Sequence, residues 1–88
     1  MKEPLKYIGE NIRNARQSKN LTIEQLAELA DISDSFLGVV ERGTSGISIE
    51  TLINIALALN VTSDSLIMEK SEPFAIIVTH IDNSEEIW

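Results

Sequence analysis

The sequence contains no cysteine, so neither a disulfide framework nor a thiolate zinc site can hold the chain together. A single histidine and no cysteine leave no nucleophile, base and orienting group of the kind that acyl transfer requires. Phosphate-cradling glycine loops are absent, and no apolar run approaches the length of a membrane span. We therefore expect no enzyme, no membrane protein, and no metal or other cofactor.

The length and the N-terminal residues of the chain limit the number of domains and the location that can be expected. Eighty-eight residues suffice for one self-sufficient hydrophobic core but not for two. The first residues are polar and lack the apolar core of a signal peptide. The sequence therefore predicts one soluble, cytoplasmic module that is stabilised by packing alone.

Positive charge is scarce and unevenly placed. The chain has 7 Lys and Arg against 14 Asp and Glu, a net charge of −7, which argues against nonspecific binding to phosphate. Residues 1–20 nevertheless hold five cations and two acidic residues, a net +3, and the remaining residues carry −10. This asymmetry is consistent with a small basic face on an acidic body, and equally with the solvated side of an amphipathic first helix.

The spacing of apolar residues predicts two helices in the first third of the chain. The first helix runs from Pro4 to about Lys19 and buries one stripe, formed by Leu5, Ile8, Ile12 and Ala15. A capping box, in which Thr22 and Gln25 satisfy each other's free backbone amides, opens the second helix at about residues 22–30. The apolar face of this helix is predicted to consist of Leu26, Ala27, Leu29 and Ala30.

Three further helices are expected to begin at hydroxyl N-caps, namely Ser33, Ser48 and Thr62. The third helix ends near Arg42, before a loop at residues 43–46. The fourth ends at Asn60, a residue that can adopt the left-handed stop conformation. Its buried side is predicted to consist of Leu52, Ile55, Ala56 and Leu59. The short fifth helix carries Leu66 and Ile67.

Residues 71–88 differ in composition from the helical part. The stretch 74–81 is rich in β-branched and aromatic residues, which favours a strand. A lone strand needs a partner edge, either the same strand of a second subunit or residues 85–88 folding back. We interpret residues 1–70 as an all-α, five-helix domain and the rest as a β-prone tail that serves as a dimerisation arm. A helical or disordered tail is the alternative.

Five short motifs in the helical part have the order and spacing of one known family. They are Ile8-Gly9-x-x-Ile12-Arg13-x-x-Arg16, Leu21-Thr22-x-Glu24-Gln25-Leu26-Ala27, Ile32-Ser33, Val40-Glu41-Arg42-Gly43 and Thr51-Leu52-x-x-Ile55-Ala56-x-Ala58-Leu59. Through them the chain resembles the lambda-repressor-like (Cro/repressor, XRE-type) helix-turn-helix family over residues 8–67. The resemblance implies a transcription regulator that binds operator double-stranded DNA as a homodimer, with the third helix in the major groove.

The resemblance also assigns roles to individual residues. The positions that the family aims at base edges are Asp34, Ser35, Gly38 and Val39. Positions near phosphates are Asn11, Arg13, Thr22, Ile23 and Thr44. The expected DNA-binding set also includes Ser33 and Arg42. In similar proteins the arginine that matches Arg16 pairs with the glutamate that matches Glu41, and the alternative is two independent surface charges.

The chain departs from the family pattern at several of these positions. Ile23 stands where members usually carry Gln, and Asp31 stands at the turn position usually held by Gly, where Asp adopts left-handed geometry at modest cost. The four base-edge positions include no Arg, Lys, Asn or Gln. Asp34 can accept from a cytosine amino group and Val39 can touch a thymine methyl. We therefore expect DNA affinity to depend on phosphate contacts from the first helix and on DNA shape.

A second reading fits the same surface. An acidic, partly apolar third helix can dock a protein partner instead of a duplex. The alternative function is therefore a protein-interaction module on the same fold, antirepressor-like or antitoxin-like, with weak or no DNA binding.

Overall fold

The computed structural model describes residues 4–69, and this part of the chain consists of five helices joined by short turns. Their bounds are α1 Pro4–Ser18, α2 Ile23–Ala30, α3 Asp34–Arg42, α4 Ile49–Leu59 and α5 Ser63–Ile67. The prediction of an all-α, five-helix fold is confirmed. The predicted strand and dimerisation arm at residues 71–88 lie outside the described residues.

Polar side chains and left-handed residues set the helix boundaries. Each of the last four helices begins at a hydroxyl N-cap that accepts a hydrogen bond from the amide three residues on, at Thr22, Ser33, Ser48 and Thr62. The predicted capping box of α2 is present, because the Thr22 amide also donates to Gln25 Oε1 at 2.9 Å. Asp31 and Asn60 end α2 and α4 at φ 62° and 60°, as the sequence predicts.

All five helices contribute to one hydrophobic core. Its largest fully buried side chains are Ile12, Leu26, Leu37, Ile55, Leu59 and Leu66. Two apolar residues predicted on buried faces point outward instead. Leu5 is 38% exposed on α1 and Leu29 is 60% exposed on α2, so the prediction that these two residues belong to buried faces is wrong. The helices are too short for the core to cover every apolar position that they carry.

A glycine allows α1 and α3 to approach each other closely. A Cβ at Gly9 would lie 2.6 Å from the Glu41 carbonyl oxygen and closer still to that of Val40. Real Cβ atoms do not tolerate such distances, so only glycine fits at this crossing. The crossing buries one side of α3 against α1 and the core, and leaves the other side of α3 exposed.

Asn11 is a buried polar residue that attaches the end of α5 to α1. Its side-chain amide donates to the carbonyl oxygens of Leu66, at 2.9 Å, and Met68, at 2.6 Å. The residue is 3% exposed. The expectation that Asn11 lies near phosphates is therefore wrong, because its amide is committed to satisfying two carbonyl groups inside the protein.

Candidate nucleic-acid interface

A three-residue turn orients α3 relative to α2. Asp31 is left-handed, and the Ile32 amide that follows donates back to the Ala27 carbonyl at 3.0 Å. Ser33 then returns to extended backbone and accepts from the Phe36 amide at 3.0 Å. Both orphaned helix ends are thereby satisfied within the turn. The two helices form the bihelical unit in which a second helix can be offered to a DNA groove.

The outward side of α3 faces an open groove. We call it the α3 groove, and its lining consists of Ile23, Glu24, Asp34, Ser35, Gly38, Val39 and Arg42. All four positions expected to face bases belong to it, together with Ile23 and Arg42. The opposite side of α3, formed by Leu37, Val40 and Glu41, is buried. Gly38 is buried as well, although it lines the groove. The structure thus brings together six residues of the predicted DNA-binding set.

Arg42 is directed along α3 by the missing side chain of Gly38. A Cβ at Gly38 would lie 3.4 Å from Nη1 of Arg42, so the guanidinium rests against the glycine one helical turn back. The exposed guanidinium is therefore held at the α3 groove. Arginine at such a position can donate two parallel hydrogen bonds to guanine, and Asp34 at the other end of the helix can accept from cytosine.

Four other predicted residues lie outside the lining of the α3 groove, namely Arg13, Thr22, Ser33 and Thr44. All four are exposed. The Thr22 and Ser33 oxygens accept from backbone amides as helix caps, so each hydroxyl proton can still be donated to a phosphate oxygen. The Thr44 hydroxyl donates to the Val39 carbonyl at 3.2 Å just beyond the end of α3.

An almost fully buried ion pair holds the end of α3 against α1. Arg16 Nε and Nη2 donate to the two Glu41 carboxylate oxygens at 2.7 and 3.0 Å, as the resemblance implies. Arg16 Nη1 also donates to the Leu21 carbonyl at 2.9 Å, which secures the start of α2. The side chains of Arg16 and Glu41 are only 11% and 5% exposed. Because Glu41 precedes Arg42, this pair fixes the helical end from which Arg42 extends.

The ion pair also stabilises the charged form of Arg16. Hydrogen bonding to the Glu41 carboxylate raises the pKa of the Arg16 guanidinium above its ordinary value, against the opposing effect of burial. The guanidinium, which is charged at ordinary pH even without a partner, is therefore held more strongly in its charged form. It is committed to the interior, so Arg16 does not add to the cationic surface that phosphate can contact.

Glu24 is a residue of the α3 groove that sequence reasoning missed. It occupies the first turn of α2, where the helix dipole favours a carboxylate, so its local position already explains it. The sequence around Glu24 does not indicate that its carboxylate lines the same groove as that of Asp34. The groove therefore contains two carboxylates and one guanidinium. This excess of negative charge is evident only from the packing of α2 beside α3.

Two further observations concern the described residues alone. Between residues 4 and 69, no group of three or more His, Cys, Asp or Glu side chains is arranged to hold a metal ion. In the same range, none of the helices combines the length and the apolar character needed to cross a bilayer.

The fold and the exposed groove define a helix-turn-helix DNA-binding module. A family model described as helix-turn-helix matches residues 12–66, more than half of the chain. The chain belongs to this family, the XRE-type helix-turn-helix transcription regulators.

Known relatives agree with this assignment. Control protein C.SmaI of Serratia marcescens is 38% identical over 60 residues, which cover 68% of this chain and 71% of C.SmaI. The restriction-modification controller protein C.AhdI from Aeromonas hydrophila has a similar structure, with a TM-score of 0.69 and 34% identity over 70% of this chain and 94% of that chain. The structure of SinR in complex with DNA has a TM-score of 0.67 and 31% sequence identity to this chain. The match covers 69% of this chain and 98% of the SinR chain. The chain spans only 60% of SinR from Bacillus subtilis.

Proposed function

We propose that this chain is a cytoplasmic, homodimeric transcription regulator that binds operator DNA sequence-specifically, with α3 in the major groove. The observation that carries the proposal is that α3 is buried along one side and open to solvent along the other. Its inner side is fixed in the core, and its outer side lines an open groove beside the start of α2. The major groove of B-DNA, about 12 Å wide, accommodates one α-helix presented in this way.

Specificity in this proposal depends on few side chains. Arg42 donates to guanine, Asp34 accepts from cytosine, and Val39 contacts a thymine methyl group. Asp34 and Arg42 lie eight residues apart, which corresponds to about 12 Å along the helix axis at ~1.5 Å per residue. They therefore read different base pairs, and the favoured half-site has G·C pairs at both ends of the contacted segment.

Phosphate contacts in this proposal come from residues that flank the α3 groove. Arg13 supplies a charge from α1, and the Thr22 and Ser33 hydroxyls supply neutral donors. The Thr44 hydroxyl can join them once it releases the Val39 carbonyl, to which it donates in the free protein. Ile23 packs against the sugar-phosphate edge without a hydrogen bond. Each neutralised phosphate contributes a slope of about −0.9 to the dependence of log K on log salt concentration. Because cations are few, we expect a shallower salt dependence than a basic repressor shows.

The names of two relatives suggest the biological role. C.SmaI is called a control protein and C.AhdI a restriction-modification controller protein. We propose a corresponding role for this chain, the control of transcription from a promoter that carries a two-fold site. An exposed recognition surface with no other chemistry in the described part of the molecule is consistent with a binder rather than an enzyme.

Fluorescence anisotropy of the full chain tests the proposal. Labelled duplexes from its own promoter and of random sequence are titrated at low salt. Arg42→Ala should lower affinity for the promoter by about 5- to 150-fold, the equivalent of one bidentate base contact, with a much smaller effect on random DNA. Lys19→Ala is the matched control, because it removes one charge outside the α3 groove and should weaken both duplexes equally. An unchanged ratio in Arg42→Ala would contradict base reading by this residue.

The two carboxylates of the α3 groove favour a second candidate function. Glu24 and Asp34 outnumber Arg42 there, so the groove can receive a basic segment of a partner protein. The same titration separates the two functions. Absence of binding to either duplex at micromolar protein and low salt would favour the protein-interaction module.

A further inference from the structure

The α3 groove has an aliphatic part as well as charged residues. Among its lining residues in the described part of the chain, only Ile23 of α2 and Val39 of α3 have aliphatic side chains. Both are half-buried, so part of each side chain remains open to a ligand. Gly38, which precedes Val39, contributes only backbone to the lining. Two different helices thus each present one aliphatic side chain to the same groove.

The side chain of Ile23 is held in a fixed place. Ile23 is the first residue of α2, directly after the N-cap Thr22, and it packs against the hydrophobic core. The reciprocal hydrogen bonds of the capping box, 2.9 and 3.0 Å long, join Thr22 and Gln25 around it. A β-branched side chain also has few rotamers, so little entropy is lost when it contacts a ligand. Ile23 is therefore a preorganised apolar contact at the edge of the α3 groove.

We infer that Ile23 and Val39 together recognise the 5-methyl group of a thymine, in addition to the contact of Ile23 with the sugar-phosphate edge. Aliphatic side chains cannot hydrogen-bond to a base edge, and the thymine methyl group is the apolar feature that the four bases present in the major groove. The inference rests on the proposed function and deepens it. It adds a residue of α2 to base reading and makes one methyl group a determinant of the half-site.

The place of Val39 along α3 locates this thymine within the half-site. Val39 lies five residues after Asp34 and three before Arg42. These separations correspond to about 7.5 and about 4.5 Å along the helix axis at ~1.5 Å per residue. Successive base pairs are about 3.4 Å apart, so Val39 meets a base pair one or two steps from those that the two charged residues contact. The half-site should therefore have an A·T pair between its G·C pairs.

Replacement of thymine by uracil in the promoter duplex tests the inference. Uracil lacks the methyl group but keeps every hydrogen-bonding atom of thymine. Fluorescence anisotropy of the full chain at low salt compares the two duplexes. The unmodified chain should bind the uracil duplex about fourfold more weakly for each methyl group contacted, the effect expected for burial of one such carbon.

Two variants show whether the effect comes from the aliphatic part of the α3 groove. Ile23→Gln and Val39→Ser each replace an aliphatic side chain by a polar one, so the ratio of the two affinities should approach one. Leu29→Gln is the matched control, because it makes the same kind of exchange on α2 at a 60% exposed leucine outside the groove, and it should keep the full ratio. Circular dichroism should show equal helix content in all four proteins.

A chain that binds its promoter with equal affinity for both duplexes would overturn the inference and leave the proposed function standing. A ratio that survives in both variants would also overturn it, because the uracil effect would then come from DNA shape. Absence of binding to any duplex would refute the proposed function, and the inference with it.

A third duplex, with 5-methylcytosine in place of cytosine, identifies the source of the methyl group. Recognition of thymine predicts no gain in affinity from this change. A gain that Ile23→Gln abolishes would overturn the assignment to thymine and make 5-methylcytosine the base that the aliphatic part of the groove contacts.

Discussion

The inner and outer sides of α3 belong to the same nine-residue helix but are specified in different ways. On the inner side, Leu37 and Val40 are buried in the core, and Glu41 meets both donors of the Arg16 fork. On the outer side, Asp34, Ser35 and Arg42 are exposed along the α3 groove. Inner residues are thus determined by contacts inside the molecule, whereas the proposed function assigns the outer residues to contacts with DNA.

The difference separates stability from recognition along one helix. A substitution on the inner side removes packing or a buried hydrogen bond and costs free energy of unfolding. A substitution on the outer side changes stability by about 1 kcal/mol or less, so under the proposed function it can alter the DNA sequence that is read without unfolding the domain. Substitutions on the two sides of α3 should therefore differ in their effects on the free energy of unfolding and on DNA affinity.

The largest effect is expected at Glu41. Glu41→Ala leaves the Arg16 guanidinium nearly buried without its carboxylate, which should lower the free energy of unfolding by about 3–5 kcal/mol. Asp34→Ala is the matched control, because it removes a carboxylate from the outer side of the same helix. Its loss of a favourable charge near the helix N-terminus should cost about 0.3–1 kcal/mol. Urea denaturation followed by circular dichroism measures both. Equal losses would show that the two sides of α3 are not distinct.

An intermediate effect is expected at Gly9, where α1 crosses the inner side of α3. A Cβ there overlaps the Val40 and Glu41 carbonyl oxygens, which are backbone atoms and cannot rotate away. We expect Gly9→Ala to destabilise the domain by about 1–3 kcal/mol, as overpacking does in cores, despite the higher helix propensity of alanine. Thermal unfolding of the two proteins measures the difference. A variant as stable as the unmodified chain would show that α1 and α3 can move apart at little cost.

Local chemistry explains why much of the fold could be predicted from the sequence. The Thr22–Gln25 capping box and the left-handed Asp31 and Asn60 depend on residues within one helical turn. The interior pairing of Arg16 with Glu41 joins residues 25 positions apart, and it was expected only because the motifs resemble a known family. Local signals therefore predicted the helices, and resemblance supplied the long-range contact.

Features that depend on tertiary packing were not predictable in the same way. Asn11 was expected near phosphate, but its partners are carbonyl groups 55 and 57 residues away. Leu29 fits the pattern of a buried face, yet the core ends before it reaches that residue. The second apolar row of α4 was visible in the sequence as residues 49, 53 and 57. The spacing alone does not show that the core covers the row of Leu52, Ile55 and Leu59 and leaves this second row exposed.

The smallest effect is expected at Gly38, the helical glycine on the outer side of α3. A Cβ there meets only the Arg42 guanidinium at 3.4 Å, the mobile end of a long side chain. Alanine is favoured over glycine within a helix by about 0.5–1 kcal/mol, so Gly38→Ala should stabilise the domain slightly, opposite in sign to Gly9→Ala. Thermal unfolding measured beside Gly9→Ala tests this contrast. Because the new methyl group crowds the Arg42 guanidinium, promoter affinity should fall slightly although stability rises. A destabilised Gly38→Ala would show that this glycine serves packing, and an unchanged preference for the promoter would show that it does not place Arg42.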